Sequence, residues 1–458
     1  MTCDENSCSA VGISREALGS LRDAFSVDPR NRMAMNAVTK AAVESVALNR
    51  EVVASLDHTY SHQLKTREVT NQMSSGRCWM FAGLNVFRTE AMKSLNLEKF
   101  ELSQSYTMFW DKLEKSNYFL ESILETVDEP IDGRLLMHLL RDPIQDGGQW
   151  DMFANLIRKY GVVPKTAMPE THSSSSSGSM NRLLTARLRE YARELRERAA
   201  GGEELDSLRA RKHRMLTVLY RMLCIHLGEP PTEFLWQWRD KDDQFHRDGL
   251  LTPLQFYEKH VAYDLESMCC LINCPTRDKH YETLYTIAYL GNVREGEIIR
   301  YLNLPVTALK RAAADMIVAG KPVWFGCDVG KMLERELGIL HEGTYEFEYV
   351  YGEPYSADKA ARVEYGESCM THAMVLTGVD LDHDGAPRKW RVENSWGDKG
   401  GDKGFLVMSD RWFDEYVYEV AVEKHFVDRA LLPILETEPV VLPPWDPMGA
   451  LARESSDR

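Results

Sequence analysis

NQMSSGRCWMF, residues 71–81, decides how the rest of the chain is read. Gly76 permits a tight turn. Met80, Leu84, Phe87 and Ala91 then recur at helical steps with no proline between them, so the spacing predicts a helix opening at or near Cys78. A thiol at a helix N-terminus lies in that end's partial positive charge, which favours the thiolate and makes it a candidate nucleophile. Gln72, six residues earlier, can fold its amide over the helix start, where it and the Cys78 N–H form two donors to an oxyanion. A cysteine in an apolar segment is more often an inert buried thiol, so this reading depends on partners elsewhere in the chain.

Those partners lie in one late stretch. THAMVLTGV, residues 371–379, places His372 at the head of a strand, and RVENSWG, residues 391–397, belongs to the next one. Side chains alternate along a strand, so Trp390, Val392 and Asn394 share a face while Arg391 and Glu393 share the other. Asn394 points with the buried set. Two strands at this separation can lie side by side, so that the Asn394 amide accepts or donates a hydrogen bond that fixes the imidazole of His372, with Trp396 shielding the bond from water. A nucleophile, a base and an orienting group are the three parts acyl transfer needs.

Outward from these segments, Ser14 is an expected N-cap of a helix with Leu18, Leu21 and Phe25 on one face. A second helix is expected through Trp150–Tyr160, stopped by Gly161. The run Ser173 to Ser177, followed by Gly178 and Ser179, is too polar to bury a core and reads as a mobile surface loop. From Asn181 to Leu227 a helical hairpin is expected, broken at Gly201 and Gly202. Its arginines alternate with Glu190, Glu194 and Glu197, the pattern of a solvated, ion-paired face. Beyond residue 300 the pattern turns strand-like, with strands expected at 322–325, 372–377, 389–394 and 405–408. The fold class is therefore α+β, with a helical first half, a helical insertion and a β-rich second half.

Composition bounds the function. The 458 residues carry 55 basic and 70 acidic side chains, a formal charge of −15, which opposes phosphate and disfavours a nucleic-acid role. No stretch has the roughly 18 apolar residues of a membrane span, and the first 30 lack the basic start and apolar core of a signal peptide, so no membrane association and a cytoplasmic location are expected. Nine cysteines, an odd number, do not form the disulfide framework of a small secreted domain. Cys269, Cys270, Cys274 and His280 match no zinc spacing and are read as core residues, with no metal.

The ordered set Gln72, Cys78-Trp79, His372 and Asn394-Ser395-Trp396-Gly397 resembles the papain-like cysteine peptidases. DGGQW, residues 146–150, resembles the glycine pair lining their peptide cleft. NQMSSGRCWMF, WFGCDVGK at 324–331, RVENSWG and PPWDPMGALA at 443–452 are similar to one intracellular branch, that of bleomycin hydrolase and bacterial aminopeptidase C. The resemblance implies a two-lobe fold, a helical lobe plus a β-barrel-like lobe, with a large helical insertion. Its parts would be residues 1–170 with the nucleophile, 171–300 as the oligomerising insertion, 301–445 with His and Asn, and 446–458 as an arm entering the cleft.

It further implies a cysteine aminopeptidase that removes N-terminal residues from peptides through a thioester, without cofactor. Cys78 would be the nucleophile, His372 the base and acid, Asn394 the orienting amide and Gln72 the oxyanion donor. Gly147, Gly148, Trp396 and Ala452 would contact substrate, the last through a terminal carboxylate that pairs with the substrate's α-amine. The partners implied are peptides with a free N-terminus and five further copies of the chain in a homohexamer. Ser75 stands where many secreted relatives carry a disulfide cysteine. Arg453–Arg458 extends past the point where relatives stop, so self-trimming to near Ala452 is expected. The rival readings are an open-cleft endopeptidase, with the same catalytic set, and a nucleic-acid-binding ring, which the net charge opposes.

Overall fold

Ser14 accepts a hydrogen bond from the Ala17 amide at 3.0 Å and opens the helix Arg15–Val27, satisfying one of the donors a helix start leaves orphaned. The computed structural model describes residues 12–65 and 68–450 of the chain. Cys78–Leu95 and Trp150–Tyr160 are helices as the periodicity predicts, the second ended by Gly161 at φ 66, where an added Cβ would meet the Pro253 backbone at 2.5 Å. The helix Cys78–Leu95 is buried on every side through its first turns, the expected state of a helix with no polar face. It is wedged between the helices Gln104–Glu125 and Trp150–Tyr160 on one side and the strands Val323–Cys327 and His372–Leu381 on the other. Phe81 and Phe87 have no exposed surface. Burying each contributes roughly 1.5–3 kcal/mol.

The second half of the chain supplies most of a 12-stranded mixed sheet. Its centre runs Met268–Ile272, Val417–Glu423, Val323–Cys327, His372–Leu381, Pro387–Glu393 and Phe405–Ser409, with each of these neighbours antiparallel. The α+β, papain-like arrangement expected from the sequence is the one observed, helices on one side and sheet on the other. His372 faces Cys327 in register across the Val323–Cys327 strand.

Three local expectations change. The insertion expected to be helical over 171–300 is helical as the hairpin Gly178–Ala200 and Leu205–Leu227, and then becomes strand: a hairpin of Phe234–Arg239 with Phe245–Leu251, followed by Met268–Ile272 and Thr283–Ile287 in the main sheet. Met268–Ile272 is buried on both faces, so it lacks the alternation that announces a strand. The serine run is not a mobile loop: His172–Ser175 is a short helix, and Ser174 and Ser177 are buried with hydrogen bonds to Glu170 and Asp146. On the strand Pro387–Glu393 both faces are buried from Trp390 onward. Glu393 there pairs with Arg88 at 2.6 Å, and Arg391 lies over the Phe405 ring at 3.5 Å.

Under the sheet lies a buried acidic pair. Burial, reinforced by the charge of Asp151, pushes the Glu419 carboxyl up to about 8, and burial pushes Asp151 up to about 6. The Cys270 thiol beside Glu419 offsets this only in part. A raised folded-state pKa means the folded chain holds these protons more tightly than the unfolded one. The stability they contribute is complete below the ordinary carboxylate range and is lost as pH rises through about 6 and then about 8. Glu419→Gln, which keeps the shape and cannot ionise, is expected to flatten the fall in Tm between pH 6 and 9, with a gain at pH 9 on the order of a few kcal/mol. Parallel Tm curves for the two proteins would show that Glu419 does not titrate in this range.

Candidate active site

The turn before Cys78 is held by its own side chains. Met73 takes the left-handed conformation, φ 55, a place the sequence reading gave to Gly76 as the turn former. Ser75 Oγ donates to the Gln72 carbonyl and Gln72 Nε2 donates to the Ser75 carbonyl, both at 2.7 Å, which closes the turn on itself. Gln72 Oε1 accepts from Ser395 Oγ at 2.7 Å, and the Gln72 amide donates to the Ser395 carbonyl at 2.9 Å. The Gln72 side chain is thereby pinned between the turn and the residue after Asn394. An amide nitrogen carries two hydrogens, so one remains beyond the bond to Ser75.

The helix start packs directly on the sheet. Trp324 Nε1 donates to the Trp79 carbonyl at 3.1 Å, which fixes the first turn against the Val323–Cys327 strand. Cys327, in that strand, has a thiol pushed far up by burial and by the charges of Asp328 and Cys78. Cys327 also stands opposite His372 in the sheet register. Cys78, His372, Asn394 and Gln72 are all buried, and Gln72 is tied to Ser395, the residue after the Asn394 that His372 meets.

One hydrogen bond fixes a proton. Asn394 Oδ1 accepts from the Ser395 backbone N–H at 2.8 Å, so that terminus of the amide is the oxygen. His372 Nε2 lies 2.9 Å from the same atom and must therefore carry the hydrogen. In the neutral ring the basic lone pair is then on Nδ1. Trp396 covers the ring at a centroid distance of 5.0 Å, and Arg335 lies over Trp396 at 4.1 Å.

The glycine wall is built from beneath. Gly148 is pressed against Trp79, since an added Cβ would stand 2.5 Å from the indole. The Gly147 carbonyl accepts from Lys115 Nζ at 2.6 Å, and the same ammonium pairs with Asp111 at 2.8 Å and lies 5.2 Å from the Trp79 ring centre. Gln149 Nε2 donates to the Ala450 carbonyl at 2.7 Å, which brings the C-terminal segment to this wall. Ala452 and Arg453–Arg458 lie outside the described residues. Asp146, Gln149 and Lys115 were not singled out from the sequence, and Ser395 was named only as part of the Asn394–Gly397 motif. Asp146 and Gln149 lay within the quoted DGGQW, where only the glycines had a stated reason.

Known proteins resemble the chain over nearly its whole length. The Peptidase C1-like family profile matches residues 12–449. Human bleomycin hydrolase is 43% identical over 453 residues, covering 97% of this chain and all of the relative. Aminopeptidase C of Streptococcus thermophilus is 47% identical over 417 residues, 91% of this chain and 94% of the relative. The crystal structure of PepW from Lactobacillus rhamnosis superposes with a TM-score of 0.95 at 46% identity, over 96% of this chain and 100% of that one.

Proposed function

The chain belongs to the Peptidase C1-like family and is a cysteine aminopeptidase, and from that premise we propose that Cys78 is the nucleophile, His372 the general base and acid, Asn394 the orienting amide and Gln72 an oxyanion donor. The observation that carries these roles is the shared Asn394 Oδ1, which accepts from Ser395 N–H and from His372 Nε2 and so leaves Nδ1 as the basic nitrogen. The Cys78 thiol gives its proton to that nitrogen, and the thiolate attacks the scissile carbonyl. The oxyanion is held by the Cys78 N–H and the second Gln72 hydrogen, and His372 returns the proton to the leaving amine. Water then attacks the thioester with His372 as base, which restores the thiol and releases the removed residue.

Gly147 and Gly148 take the roles of cleft backbone, Trp396 that of a wall for the leaving peptide, and Ala452 that of the terminal anchor for the substrate's α-amine. The Gln149 bond to Ala450 supports this reading of the arm. The test is a digest of matched peptides with free and N-acetylated termini: stepwise loss of N-terminal residues from the free peptide alone is expected. Equal cleavage of both, at internal bonds, is the result of an open-cleft endopeptidase.

We also infer a homohexamer assembled largely through residues 180–290. Leu183, Leu205, Ile225, Leu235, Phe245 and Leu250 in that stretch are all 45% or more exposed, an apolar surface that closed symmetric assembly would cover. Light scattering at micromolar concentration is expected to give six times 52.5 kDa, and a monomer mass would exclude the assembly. A cytoplasmic location is part of the same proposal, supported by the unbridged thiols of Cys224, Cys269, Cys270, Cys274 and Cys327. No helix among the described residues is long and apolar enough to cross a membrane.

A further inference from the structure

Asp146 ties together the turn before the nucleophile and the first turn of the helical insertion through its buried carboxylate, and the indole after the nucleophile through its backbone carbonyl. Its Oδ2 accepts from the Gly76 backbone N–H at 3.0 Å and from Ser177 Oγ at 2.5 Å. Its Oδ1 accepts from Asn181 Nδ2 at 2.7 Å and pairs with Lys112 Nζ at 2.6 Å. Its own carbonyl accepts from Trp79 Nε1 at 2.7 Å. Burial opposes the charge, yet the Lys112 ammonium and the bonds from Ser177 and Asn181 hold the carboxyl well below the usual carboxylate range, so it is ionised and acceptor-only. Gly76 and Trp79 bracket Cys78, so Asp146 grips both sides of the residue whose N–H faces the oxyanion.

Two further links tie the same turn to the serine run. The Ser74 amide donates to the Ser175 carbonyl at 3.0 Å. Arg77 makes a two-pronged pair with Glu170 at 3.0 and 2.8 Å, and Glu170 in turn accepts from Ser174 Oγ at 2.6 Å. The base of the insertion is thus a splint for the catalytic turn.

We propose that Asp146, held by Ser177 and Asn181, is a positioning residue that sets the oxyanion hole by fixing the Gly76–Trp79 backbone, and that the insertion acts on catalysis through it. The inference rests on the reading of Cys78 as nucleophile. An oxyanion donor acts only once charge develops on the carbonyl, so a displaced Cys78 N–H lowers kcat and leaves KM nearly unchanged. Alkylation of Cys78 by iodoacetamide passes through no oxyanion and needs only the thiolate. The two reactions therefore separate.

In Asp146→Asn the amide must turn its hydrogens toward either the Gly76 N–H or the Lys112 ammonium, both donors only, so one of these two bonds is lost, while Ser177 Oγ and the Asn181 amide can turn to accept. Its kcat is expected to fall by about 10² with KM near wild type, while the rate of Cys78 alkylation from pH 5 to 9 follows the wild-type profile. Ser177→Ala, which leaves the Lys112 pair intact and removes one hydroxyl, is expected to show the same split at about tenfold. It keeps the proposal testable if Asp146→Asn does not fold. A wild-type kcat in folded Asp146→Asn overturns the proposal. So does a parallel fall in kcat, alkylation rate and Tm, which marks a residue that serves the fold alone. Turnover retained by Cys78→Ala is a different result, since it removes the underlying reading rather than the role of Asp146.

Discussion

Cys78→Ala is expected to lower peptide hydrolysis by at least about a thousandfold while leaving the fold in place. The large loss follows from chemistry: without the thiolate no thioester forms, and residual catalysis from binding and the oxyanion donors falls orders of magnitude short of the intact set. The small structural cost follows from position. Cys78 opens its helix, where alanine is a good helix former, and the substitution removes a single buried sulfur. Alkylation gives a second readout. Burial pushes up the thiols of Cys224, Cys269, Cys270, Cys274 and Cys327, Cys269 to about 12, so near pH 6 these five remain protonated and slow. A rapidly labelled thiol in wild type that disappears in Cys78→Ala is expected. Wild-type turnover in the variant would sink the assignment.

Much of this site was legible because its signals are local. A helix start after a polar turn, a strand headed by histidine and a buried Asn394 just past the end of the next strand each follow from a handful of consecutive residues. What escaped depends on contacts between distant segments. The buried face of Arg391 and Glu393 requires Arg88 and Phe405 to meet them. The serine run looked unable to bury anything, and alone it is. It orders because Asp146, Glu170 and the Ser74 amide offer its hydroxyls and carbonyls partners that composition does not reveal. Met268–Ile272 drew attention as a cysteine cluster, and buried on both faces it carries no period from which a strand is read.

Removing the chain after Pro444 is expected to turn an exopeptidase into an enzyme that also cuts internal bonds. The segment is seated at several points before it reaches the cleft. Val440–Leu442 pairs in parallel with Thr283–Ile287, Arg134 lies over the Trp445 ring at 4.0 Å, and Asp446 forms a buried pair with Lys279 at 2.9 Å. Asp446 also caps the following turn by accepting from the Met448 amide at 2.8 Å. Gln149 then holds the Ala450 carbonyl beside the glycine wall. Between this segment and the helices lies a cavity of about 750 Å³ that reaches Gln145 and Thr371, the neighbours of Asp146 and His372. On the function proposed above, a peptide running along the wall in that direction would meet Ala450 and stop. A terminal carboxylate, which self-trimming to near Ala452 would create, would add a counter-charge for a free α-amine, and an unpaired charge in such a cleft costs about 3–5 kcal/mol where it is buried. Discrimination between free and N-acetylated peptides is therefore expected to fall by about 10²–10³ in kcat/KM on truncation, with internal cleavage products appearing by mass spectrometry. Lys279→Met, which loosens the segment without deleting it, should move the same ratio part of the way. A folded truncated enzyme that still removes single N-terminal residues and still rejects acetylated ones would show that some other wall measures the substrate.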